Sequence, residues 1–114
     1  MDKLEEFMII FRLVPNTEPS TPEQVEQMHQ QWGAFIGSIA SQGKLLGTHR
    51  LKLEGKLLSQ ASGLKDEIVV SGNQVITGNM IIKAESMEEV VEIAKKCPII
   101  LAGGSVELRE INPM

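Results

Sequence analysis

Thr77–Ile111, TGNMIIKAESMEEVVEIAKKCPIILAGGSVELREI, decides the fold, because it reads as strand, helix and strand with clear punctuation between them. Met80–Ala84 is a short β-rich run. Ser86 follows as an N-cap, and Glu89 stands three residues on, where its side chain completes a capping box. Glu88 and Glu89 lie at the positive end of the helix dipole, Lys95 and Lys96 at the negative end. Met87, Val90, Val91, Ala94 and Cys97 recur at helical spacing as one apolar stripe. Pro98 stops the helix, and Gly103-Gly104 turns the chain into a strand over Ser105–Ile111.

Upstream, Met1–Glu6 reads as a frayed leader and Phe7–Val14, FMIIFRLV, as the first strand. Phe7, Ile9, Phe11 and Leu13 share one face, and Met8, Ile10, Arg12 and Val14 share the other. Both faces are apolar apart from Arg12, so this strand requires cover on two sides. Pro15–Ser20 is a turn-rich link. Thr21-Pro22-Glu23-Gln24 then opens a helix with a cap, a proline suited to the first turn and a box-closing glutamine. Val25, Met28, Trp32, Phe35, Ile36 and Ile39 form its apolar stripe, and Gly43 ends it as a left-handed cap. Gly33 and Gly37 continue a stripe from His29, a groove that admits a close neighbour, either packed chain or ligand.

Lys44–Leu51 is a second strand. Gly55–Ser59 and Glu67–Ser71 flank the turn-prone Gln60–Asp66 as a small inserted hairpin, and Gly72-Asn73 marks a further turn. With no repeat or linker, residues 1–114 form a single domain. The order β-α-β, hairpin, β-α-β predicts an α+β, ferredoxin-like βαββαβ fold, with the first and third strands central. Two helices cover one face of such a sheet. The other keeps Met8, Ile10, Val14 and Ile81 wet, which predicts a homodimer packed sheet to sheet.

Composition narrows the function classes. Aromatic residues make up 4% against 42% apolar overall, so aliphatic side chains fill the core. The net charge is −4, with no cluster of Lys or Arg, which argues against nucleic acid or an anionic membrane as partner. No segment approaches the run of about 20 apolar residues that spans a bilayer. One cysteine forms no internal disulfide, in keeping with a reducing cytoplasm. Metal-ligand spacing is absent, with neither HxxxH nor CxxC, so neither metal nor cofactor is expected.

Few residues carry chemistry. His49, beside Arg50, is either a proton acceptor or an exposed strand-end histidine. Asp66 is either a general base or a turn aspartate bonded to its own backbone. Arg12, a guanidinium on an apolar strand, either pairs with Glu107 or Glu110 or holds an anionic ligand. His29 projects from the first helix, Trp32 anchors the core or stacks on a ligand, and Cys97 behaves as a small hydrophobe. The expected pocket lies between the sheet and the first helix, edged by Trp32, His29, His49, Arg12 and Asp66. It would bind a small molecule, with proton transfer by His49 or Asp66, or a purely structural dimer, as the other readings.

The chain resembles the YCII-related (DGPF) family over nearly its whole length. The resemblance rests on Trp32, on Gln42-Gly43-Lys44-Leu45-Leu46-Gly47, on Thr77-Gly78 before MIIKA, on SMEEVVEIAKKCP and on GGSVELREI. It implies a dimeric α+β barrel, similar in outline to muconolactone isomerase-like and stress-responsive dimeric barrel proteins. The motif that names the family would fall on Asp66-Glu67-Ile68-Val69, of which Asp66 alone is kept, and Ser71, Asn73 and Gln74 replace its later charged positions. A His and Asp dyad proposed for another branch would fall on Trp32 and Cys97.

Overall fold

The computed structural model describes residues 3–15 and 21–113. The chain runs β1 (Glu5–Leu13), α1 (Pro22–Ser41), β2 (Leu45–Arg50), β3 (Leu57–Ser59), β4 (Gly63–Lys65), β5 (Val75–Ala84), α2 (Met87–Ala94), α3 (Pro98–Leu101) and β6 (Ser105–Glu110). Four strands form an antiparallel sheet in the order β2-β5-β1-β6, with β3 and β4 as a separate two-stranded hairpin. This is the expected ferredoxin-like order, with β1 and β5 central.

Period-two alternation builds the core. Phe7, Ile9 and Phe11 of β1 and Met80, Ile82 and Ala84 of β5 are buried on one face, against Phe35 and Ile39 of α1, Val90 of α2 and Ile99 of α3. All three helices lie on that face. Among the described residues no helix lies on the opposite face, and Met8, Ile10 and Ile81 in its centre are partly exposed.

Local chemistry explains most boundaries. Thr21 Oγ1 accepts from Gln24 N at 3.2 Å while Gln24 Oε1 accepts from Thr21 N, so α1 starts with a full capping box. It ends in a Schellman motif, with Lys44 N donating to Ile39 O and Gly43 N to Ala40 O, around Gly43 at φ +70°. Gly72 and Asn73, at φ +55° and +60°, make the tight turn closed by Ser71 and Gln74.

Several boundaries differ from the sequence reading. The first strand takes in Glu5 and Glu6 from the expected leader, and residues 16–20 of the expected link lie outside the described residues. Ser86 caps α2 through Glu89 N at 3.2 Å, but the Glu89 carboxylate turns to Lys44 Nζ at 2.7 Å, leaving a one-sided cap. The second helix ends at Ala94, and Pro98 opens a new turn of helix, a position where its missing N–H costs nothing. The hairpin closes earlier than expected. Gly63, at φ +67°, begins its second strand, which is Gly63–Lys65 instead of Glu67–Ser71. Among the described residues, no atom outside the helix backbone comes within 4 Å of a Cβ built on Gly33 or Gly37, so that stripe is open to them.

Candidate functional site

Strand register decides which polar groups meet. On the open face His49 of β2 lies opposite Asn79 of β5, Asn79 opposite Ile10 of β1, and Ile10 opposite Glu107 of β6. The adjacent row is Gly47, Ile81, Met8 and Arg109. The centre of the face is therefore apolar, with polar groups along both flanks.

On one flank His49 Nδ1 is 3.0 Å from Asn79 Oδ1. A carboxamide oxygen only accepts, so Nδ1 donates and the neutral ring keeps the lone pair on Nε2. On the other flank Glu107 holds two guanidinium groups, Arg12 Nη2 on Oε1 and Arg109 Nη1 on Oε2, both at 3.0 Å. Hydrogen bonds from Arg109 and then Arg12 lower the Glu107 pKa below its usual carboxylate value. Two cations share one carboxylate, so the Arg12–Glu107–Arg109 cluster carries one positive charge in excess.

The five residues singled out in the sequence fall into four regions. His49 and Arg12 share the open face, and of its two expected carboxylate partners Arg12 takes Glu107. Trp32 lies on the helix-covered face, edge-on to Phe11 at 5.3 Å and to Phe35 at 6.0 Å between ring centroids. His29 is exposed along α1. Asp66 is exposed at the base of the hairpin, bonded to Lys56. The space expected as a pocket between sheet and α1 is filled by Phe11, Trp32, Phe35 and their aliphatic neighbours, so these five side chains edge no common cavity there.

Two clefts lie elsewhere among the described residues. One, of about 320 Å³, lies between α1 and the α2–α3 segment, floored by Phe35, Ile39, Ile93 and Pro98. The other, of about 600 Å³, lies at the hairpin base between Gly55, Lys56 and Asp66, Ile68. Neither includes His49, Arg12, His29 or Trp32. Cys97 is fully buried, and burial raises its thiol pKa to about 11, so it is protonated at neutral pH. Among the described residues no three His, Cys, Asp or Glu side chains gather as a metal site, and no helix is long and apolar enough to cross a membrane.

Sequence reasoning missed Asn79 and the shared role of Glu107. The alternation of β5 was a usable signal, since Asn79 and Ile81 fall opposite in phase to the buried Met80 and Ile82. It identifies the face but not the partner, which depends on how β2 and β5 align.

The topology and the one-sided helix layer define a ferredoxin-like α+β domain. A model of the YCII-related domain matches residues 6–114, and the chain belongs to that family. No curated protein matches it. Among solved structures the chain is similar to the hydroxynitrile lyase from Passiflora edulis, at 11% identity and a TM-score of 0.43, over 100% of this chain and 98% of that one.

Proposed function

We propose that the chain acts as a homodimer packed sheet to sheet, as a dimeric α+β barrel, and binds a small polar molecule against the open sheet face. One observation carries this reading. The apolar strip of Met8, Ile10 and Ile81 lies uncovered on the same face as the His49–Asn79 pair and the Arg12–Glu107–Arg109 cluster. A second copy would cover the strip, and sheets stacked about 10 Å apart would enclose the polar flanks with room for a ligand. Low dielectric between the sheets would strengthen hydrogen bonds from the imidazole and the guanidiniums. The buried single thiol suits a reducing cytoplasm.

Proton transfer is a second reading, and the hydrogen bond from Nδ1 favours it. A ring held through Nδ1 presents Nε2 as a base of fixed direction. Asp66 is less suited, because Lys56 already holds its carboxylate.

The test is sedimentation of the wild type and Ile10→Glu, followed by NMR titration of the wild type with a library of small polar fragments. We expect a dimer that the substitution converts to monomer, and fragment-induced shifts centred on His49 and Asn79. A stable Ile10→Glu dimer would overturn the sheet-face interface. A wild-type dimer whose open-face resonances ignore every fragment would leave a purely structural dimer.

A further inference from the structure

The hairpin is an arm without visible support. Its two strands pair over three residues each and pack on no other element to a comparable extent. An isolated two-stranded hairpin is marginal in water. The radius of gyration is 15.8 Å, against about 13 Å for a compact chain of this length. The arm also carries an unusual share of exposed apolar side chains. Leu58 and Leu64 are 75% and 64% exposed, and Val69 and Val70 are 60% and 58% exposed. Yet its base is well formed: a Cβ on Gly55 would meet Ile68 Cγ2 at 2.7 Å, and Lys56 is bonded to Asp66.

We propose that the arm, residues 52–70, reaches across to a second copy of this chain and clasps it, completing the interface that the open sheet face begins. This rests on the sheet-to-sheet dimer proposed above. Area favours it. Four strands by about six residues present roughly 400 Å² per protomer. A standard interface takes about 800 Å² per partner. One face of an arm about 10 Å wide and about 20 Å long adds roughly 200 Å², and the surface under the partner's arm adds as much. Measured on the same flat footprint, the arms about double the contact that the face alone offers.

Charge favours a second copy as occupant. Lys52, Lys56 and Lys65 balance Glu54, Asp66 and Glu67 within the arm, and the open face carries Arg12, Lys83 and Arg109 against Glu6 and Glu107. The acidic excess of the chain therefore lies elsewhere, and these two surfaces meet without like-charge repulsion. The arm is also continuous with the face, since it leaves the sheet directly after β2 and returns into β5.

The test is sedimentation velocity across a concentration series of the wild type and a Leu58→Ser/Leu64→Ser double variant, with hydrogen exchange of the wild type at low and high concentration. Both positions are exposed in the protomer, so the variant keeps its fold, which circular dichroism checks. We expect the dimer dissociation constant to rise at least about tenfold, and the amides of Leu57–Ser59 and Gly63–Lys65 to exchange more slowly at high concentration. An unchanged constant with concentration-independent exchange, in a wild type that still dimerises, overturns the arm and leaves the sheet-face dimer standing. A wild type that stays monomeric at high concentration overturns the sheet-face dimer and the arm with it.

Discussion

His49 Nδ1 stands 3.0 Å from Asn79 Oδ1, across the pairing of β2 with β5. The bond sets which ring nitrogen carries the proton. In solution at a pH where the ring is neutral, nitrogen chemical shifts should report Nδ1 as protonated and Nε2 as bare. Asn79→Ala removes the acceptor, and the Nδ1–H form should then lose its preference. The same tautomer in both proteins would mean that the amide does not orient the ring. A ligand contacting Nε2 should bind more weakly to that variant than to the wild type.

Glu107 gives a pH dependence with a defined sign. Its folded pKa is lowered by hydrogen bonds from Arg109 and Arg12, from a usual value of 4.5. A depressed carboxylate contributes stability that is complete above its unfolded pKa and is lost as pH falls through the folded one. Denaturant unfolding measured from pH 6 downward should therefore show a steeper acid loss in the wild type than in Glu107→Gln, beginning near the usual value. Parallel curves would show that the two guanidiniums hold the carboxylate only loosely. Because this pair is partly solvated, the difference should shrink in high salt.

The residues behind these two predictions were unequally legible in the sequence. Arg12 was visible as a charge on an apolar strand, and its candidates Glu107 and Glu110 lie on the strand beside it, where register selects Glu107. His49 was visible, but its partner was not. A connection of two dozen residues separates β2 from β5, and a bulge at Leu46 shifts their register, so no local pattern aligns His49 with Asn79. Local rules worked where the chemistry is local. Thr21 and Gln24 form the box their spacing implies, and Gly43 takes the left-handed turn. They failed where a distant group competes, as when Lys44 draws Glu89 away from the Ser86 cap. Proline was misread for a related reason: it forbids continuation of a helix but favours the start of another, and Cys97 as an extended N-cap lets Pro98 do so.

Cys97 should behave as a buried thiol. It is fully enclosed in the core, and burial raises its pKa to about 11, with the backbone N–H of Ile99 offsetting this in part. Ellman's reagent at pH 8 should leave the native protein unmodified over many minutes and react at once in denaturant. Rapid modification of the native state would show that the α2–α3 junction opens readily. Cys97→Ala should fold normally and lose about 1 kcal/mol through the small void it creates.

Two glycines should respond in opposite directions to the same substitution. Gly78 lies in β5 opposite Arg50, and a Cβ there would overlap the backbone carbonyl oxygen of His49, which cannot swing away as a side chain can. Gly78→Ala should therefore push β2 from β5 and cost about 1–3 kcal/mol. It should also lower the melting temperature by about 4–12 °C. The displaced strand carries His49, so the tautomer preference described above should weaken in this variant although Asn79 is intact. Gly33 is the counterpart. It lies inside α1 with open space around it, so Gly33→Ala should stabilise the helix by about 0.5–1 kcal/mol. Thermal unfolding of both variants at one protein concentration tests the contrast. A Gly78→Ala protein as stable as the wild type would show that the β2–β5 contact is looser than the register implies. A destabilised Gly33→Ala protein would show that the outer side of α1 is in close contact with something beyond the described residues.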